Sequence, residues 1–139
     1  MKRLIPVLLV ICLLGGCAAQ PAPEEPLSAQ AITFTDSLGR EIALEPPGRV
    51  AALIGSFADI WYLAGGEVIA CADDAWEDFD LPLREDAVNL GMTKNLSLEK
   101  LLAAQPDLVL ASCNTQLNLD WMETLEAAGI PTLYFDISD

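Results

Sequence analysis

The sequence predicts an α/β fold, a doubly wound and mainly parallel sheet preceded by a β-hairpin. Three observations carry that expectation. VAALI (50–54), VIAC (68–71), LVLA (108–111) and TLYF (132–135) are continuous apolar runs, as strands buried on both faces require. Helical patterns separate these runs, which implies right-handed βαβ crossovers. Ahead of them, ITFT (32–35) and EIAL (41–44) alternate side chains between two faces around the turn sequence Asp36-Ser37-Leu38-Gly39-Arg40.

The elements follow in order. Ile32 and Phe34 share one hairpin face, as do Ile42 and Leu44, and Pro46-Pro47-Gly48 then breaks the chain. After the strand at 50–54, Ser56 and Asp59 have capping-box spacing before IWYLA, and Gly65-Gly66 ends that helix. Strand 68–71 leads into a long, acidic, irregular stretch over 72–96. Ser97 is placed to cap LEKLLAAQ, which Pro106 stops. After strand 108–111, Leu117, Trp121, Leu125 and Ala128 fall on one helical face, and Gly129 closes that helix before strand 132–135.

Composition removes several functions. The 139 residues fit one small domain. With no histidine, Ser-His-Asp and Cys-His catalysis and His-ligated zinc or haem are excluded within this chain. Acids outnumber bases 21 to 7, a formal charge of −14, and such a surface repels nucleic acid. No glycine-rich phosphate loop follows any of the four buried strands, so a nucleotide site has no support.

The N-terminus reads as an export signal. Lys2 and Arg3 precede an apolar run from Leu4 to Leu14, too short for a span that needs about 20 residues. It ends in Leu14-Gly15-Gly16-Cys17, similar to the bacterial lipobox, in which small residues precede a cysteine that receives diacylglycerol. Residues 1–16 are therefore expected to be a lipoprotein signal peptide. Cys17 becomes the lipidated N-terminus on the outer face of the cell membrane, and AAQPAPEEPLSAQA (18–31) is a proline-rich tether. Processing leaves 5 bases against 21 acids, and Cys71 and Cys113 as the remaining thiols. Two cysteines cannot form a four-cysteine zinc site, and no metal site is expected.

The hairpin ITFTDSLGREIAL, the helix DIWYLAGG, the stretch LGMTKNLSLEKLLAAQPDLVLAS and the entry LEAAGIPTLYF occur in one order and spacing. Together they resemble the extracytoplasmic solute-binding proteins of ABC importers for iron–siderophore complexes, haem and cobalamin. The resemblance covers residues 32–136. It implies the N-terminal lobe (32–139) of a two-lobed clamp, the C-terminal lobe not being included. It also implies a metal chelate or cobamide as cargo, and an ABC permease with its ATPase as partners. No cofactor and no catalytic residue are expected.

In open α/β sheets, ligands bind beyond the C-terminal strand ends. Candidates there are Ser56 and Phe57, then Asp73, Asp74 and Trp76, then Thr93 and Lys94, and finally Cys113 and Asn114. Ser56 is expected to cap its helix and to be able to meet an anion as well. Trp76 suits stacking on a corrin or aromatic chelator, or equally packing beneath the acidic loop. Asp73 and Asp74 are either cation contacts or a solvated pair. Lys94 suits a carboxylate or phosphate of the ligand, or is a plain surface lysine. Met92 lies two positions before the axial methionine of haem-binding relatives, which weakens a haem reading. The family's sheet order puts the first buried strand between Cys71 and Cys113, so two buried free thiols are expected rather than a disulfide. In the family, the glutamate of the S-L-E-K-like segment docks the N-lobe on its permease, which assigns Glu99 that role. Other classes are a one-lobe structural or sensory lipoprotein, and a surface enzyme. The enzyme lacks any nucleophile–base pair.

Overall fold

The computed structural model describes residues 31–138. The signal peptide, Cys17 and the tether up to residue 30 lie outside the described residues.

Strands β1 (Ile32–Thr35) and β2 (Glu41–Leu44) pair antiparallel with Phe34 opposite Ile42. The five other strands form one parallel sheet in the order β5-β4-β3-β6-β7: β3 (Val50–Ala52), β4 (Val68–Cys71), β5 (Val88–Asn89), β6 (Leu108–Ser112) and β7 (Thr132–Phe135). Register is set at Val50↔Leu108 between β3 and β6, and at Val109↔Thr132 between β6 and β7. The crossovers carry helices α1 (Gly55–Leu63), α2 (Asp74–Glu77), α3 (Leu98–Ala103), α4 (Gln116–Asp120) and α5 (Met122–Ala127).

The two-residue period of a strand sends alternate side chains to opposite faces, and both faces are filled. Ala51, Leu53, Val109 and Tyr134 join Leu101 of α3, Leu125 of α5 and Trp121 in one core cluster. Val50, Ala52, Leu108 and Leu110 join Phe57 and Ala58 of α1 in the other, against which Ile42 and Leu44 of the hairpin pack. The sheet is thus doubly wound, with α1 and the hairpin on one face and α3 and α5 on the other.

Three local expectations change. α1 starts at Gly55 with Ile54 as its cap residue and no side-chain cap, so Ser56 lies inside the first turn instead of capping it. The expected helix over 117–128 is two helices. Trp121, at φ −88° and ψ −9°, ends α4 and leads into α5, and Ala128 is exposed. The irregular stretch contains the short α2 and a fifth strand, β5, paired with β4 at Ala70↔Val88. Ser97 caps α3 as expected, its hydroxyl accepting Lys100 N–H at 3.3 Å. Among the described residues, no helix is long and apolar enough to cross a membrane.

Candidate functional site

A sheet whose chain winds outward in both directions from β3 leaves a crevice at the C-terminal ends of β3 and β6, where side chains from neighbouring crossovers splay apart. The rim at this end is built from the turns following β3, β4, β5, β6 and β7.

After β3, the chain enters α1 at Gly55. The Gly55 N–H donates to both carboxylate oxygens of Asp74, each 2.9 Å away. A side-chain carboxylate from the next crossover therefore does the capping work that the local sequence assigned to Ser56. Glycine is required here: a Cβ on Gly55 would sit 2.8 Å from Ala75 N and 2.9 Å from Asp74 Cγ. Ser56 is half-buried, and Phe57 is buried edge-on against Phe135 with ring centroids 5.6 Å apart. Phe57 is thus a core residue on the α1 face of the sheet.

After β4, Asp73 is half-buried and its N–H donates to Gly91 O at 3.0 Å, which ties the β4 turn to the β5 turn. Burial raises the Asp74 carboxyl above its ordinary value, despite the hydrogen bond from Gly55. Trp76 is half-buried and packs on the cluster containing Cys71 and Ala75.

The β5 turn is formed by Gly91 at φ +102°, a conformation that glycine adopts freely, and by Asn95 N–H donating to Met92 O at 2.7 Å. Met92 is 60% exposed, Thr93 half-buried and Lys94 exposed. At this edge of the rim two lysines are exposed: Lys94 in the turn, and Lys100 of α3, whose Nζ donates to Asn89 O at 3.0 Å.

At β6, Asn114 is an organiser. Its Nδ2 donates to Asp136 Oδ1 at 2.9 Å, and its Oδ1 accepts Ile137 N–H at 2.8 Å, joining the ends of β6 and β7. The Ser138 hydroxyl and backbone N–H, with Asn114, hold the Asp136 carboxyl below its usual range. Buried Asn118 supports the same turn by accepting Ser112 N–H at 3.0 Å. Neither Asp136 nor Asn118 was singled out from the sequence, because their roles depend on partners 22 and 6 residues away.

Cys71 and Cys113 are both free, with β3 between their strands. Cys71 is fully buried, and burial with the neighbouring Asp74 charge pushes its thiol up to about 12. Cys113 is only half-buried, more open than expected, because it lies at the strand end rather than within the sheet.

The structure therefore gathers Ser56, Asp73, Asp74, Thr93, Lys94, Cys113 and Asn114 at one end of the sheet and assigns Phe57 and Trp76 packing contacts. Glu99 stands apart, exposed in the first turn of α3. Two cavities lie away from β3, β4 and β5 at this rim. One, of about 760 Å³, is bordered by Pro46, Pro47, Pro106 and Pro131. The other, of about 490 Å³, is an apolar groove between the hairpin and α1. Among the described residues, no three Cys, Asp or Glu side chains are grouped to hold a metal ion.

This architecture has known counterparts. The siderophore-binding protein BauB, bound to ferric iron and two acinetobactin molecules, superposes with a TM-score of 0.62 at 24% identity over 78% of this chain. SirA of Staphylococcus aureus, complexed with staphyloferrin B, gives 0.57 at 19% identity over 76%. The haem-binding protein HmuT gives 0.64 at 19% identity over 84%. The chain spans 36% to 38% of the length of these structures. No curated protein sequence matches it. The family model for the periplasmic binding protein matches residues 50–138, from the first residue of β3 through β7 and beyond. On that match, the chain belongs to the periplasmic binding protein family.

Proposed function

We propose that this chain forms the N-terminal lobe of a lipid-anchored, extracytoplasmic receptor that captures a metal chelate and hands it to an ABC permease. The chelate is an iron–siderophore, haem or cobalamin-type complex. The observation that supports this most is the family match over the whole parallel sheet, together with structural neighbours whose bound or named ligands are siderophores and haem. The rim turns after β3 to β7 form one wall of the cleft, and a second lobe closes over the ligand. Ser56, Asp73, Asp74, Thr93, Lys94, Cys113 and Asn114 are the residues of that wall. Glu99 docks the lobe on the permease, and Cys17 carries the lipid.

The charge argument agrees with an export route. A processed chain with 21 acids and 5 bases stays soluble next to an anionic membrane and does not adhere to nucleic acid. The test is transport. A strain lacking the gene should lose uptake of one of three radiolabelled cargoes: a ferric siderophore, haem or cobalamin. Undiminished uptake of all three contradicts the receptor reading.

A further inference from the structure

The reading of the rim as a cleft wall leaves open what kind of ligand surface it accepts, and one contact bears on that. A helix N-terminus at the switch point of a doubly wound sheet is ordinarily a place where an anion is welcome, because free N–H groups and the helix dipole point at it. In this chain the place is taken. Asp74 presents both carboxylate oxygens to Gly55 N–H at 2.9 Å. The approach is specific, because any side chain on residue 55 would collide with Asp74 and the Ala75 backbone.

We infer that Asp74 is a specificity-determining residue: it seals the N-terminus of α1 against anionic ligand groups, so the centre of the wall receives an uncharged or cationic face of the chelate. The inference rests on the rim being the ligand wall. A second anion placed on the Ser56 side of the turn would sit in contact range of a half-buried carboxylate, where screening is weak. Asp73 next to it adds charge of the same sign. Lys94 belongs to the β5 turn, at the edge of the sheet and separated from β3 by β4. An anionic group on the ligand would therefore be met at the edge and not at the centre.

The seal is tested with inorganic phosphate as the probe, followed by the amide resonances of Gly55 and Ser56 in the ¹⁵N-labelled chain at neutral pH. In the native sequence these resonances should stay in place. In Asp74→Ala, where the N–H groups are released, they should shift and saturate, with an apparent affinity at least about tenfold higher. Native Gly55 and Ser56 titrating as strongly as the variant would overturn the inference, as would an Asp74→Ala chain that ignores phosphate. Should Asp74→Ala fail to fold, Asp74→Asn keeps an acceptor for Gly55 and removes the charge. It should gain a phosphate response at Ser56, and the absence of one is equally contrary. These outcomes do not depend on transport. A chain that shows the seal while its loss leaves all chelate uptake intact would sink the receptor reading alone.

Discussion

The Asp36 carboxylate and the Arg40 guanidinium meet at 2.6 Å beneath the hairpin turn, and the pair fastens the hairpin to the main sheet. Asp36 also accepts Leu38 N–H and Arg40 N–H, each at 3.0 Å. Arg40 continues to Thr132 O at 2.8 Å and to Glu126 at 2.9 Å, and lies over the Tyr134 ring. Ser37 N–H completes the junction by donating to Tyr134 O at 2.9 Å. The hairpin sequence D-S-L-G-R is therefore both a turn and a clasp.

Loss of this clasp should be costly. Asp36 is buried, so Asp36→Ala leaves Arg40 with only the exposed Glu126 as counter-charge and several N–H groups without acceptors. The expected destabilisation is about 3 kcal/mol in urea denaturation. Glu126 is 58% exposed, and Glu126→Ala should cost less than about 1 kcal/mol. Equal effects of the two would refute the assignment. Burial disfavours the Asp36 charge, but the Arg40 and backbone hydrogen bonds outweigh it and hold the carboxyl below 3.8. Its contribution to stability is therefore present above that ordinary value and is lost as pH falls through the lower folded value. Asp36→Asn should flatten the acid limb of the stability curve.

The two thiols should differ in reactivity. At mildly alkaline pH, iodoacetamide should label Cys113 in the native chain. Cys71, buried and with its thiol pushed up to about 12, should be labelled only after unfolding. Mass spectrometry of the tryptic peptides reads this directly. Native labelling of both sites at equal rates, or of neither, would contradict the arrangement on either side of β3.

Anchoring is expected to depend on one residue. Cys17→Ala should move the protein from the membrane fraction to the soluble extracytoplasmic fraction and remove the lipid mass. A variant that remains membrane-bound would mean that the sequence Leu14-Gly15-Gly16-Cys17 is not processed as proposed.

Glu99 separates docking from structure. As a first-turn acid, its favourable interaction with the helix dipole is worth about 0.3–1 kcal/mol. As half of an interfacial charge pair, its removal costs about 2–5 kcal/mol in permease binding. In the complete two-lobed receptor, Glu99→Ala should leave the melting temperature and ligand affinity nearly unchanged while impairing uptake and permease binding. Normal uptake would reduce Glu99 to a surface acid.

Much of the scaffold was legible because burial on both faces leaves a plain mark. VAALI, VIAC and LVLA had to be interior strands and form the three central ones, β3, β4 and β6, while TLYF forms the edge strand β7, covered on both faces because Tyr134 and Leu133 enter opposite core clusters. β5 left no such mark, since two residues, Val88 and Asn89, carry no period and pair only because β4 offers an edge. Capping was legible where it is local, as at Ser97, and misread where it is not. Ser56 has the spacing of a cap, but Asp74, 19 positions from Gly55, reaches the same helix end. The break at Trp121 was hidden for a similar reason: Leu117, Trp121 and Leu125 keep helical spacing across it. The cleft candidates came from topology and family resemblance, and their hydrogen-bond roles, such as Asn114 joining β6 to β7, were hidden because the partners Asp136 and Ile137 lie 22 and 23 residues along the chain.

The most direct test of the receptor account is to map ligand contacts on the ¹⁵N-labelled chain with a ferric trihydroxamate, haem and cyanocobalamin in turn. One wall of a clamp buries only part of a ligand, so binding should be weak and in fast exchange. The account predicts that one of these ligands shifts amides at 55–56, 73–74, 92–94 and 112–114 together. Shifts confined to the proline-bordered cavity at the opposite end of the sheet, or no shifts with any of the three, would contradict it.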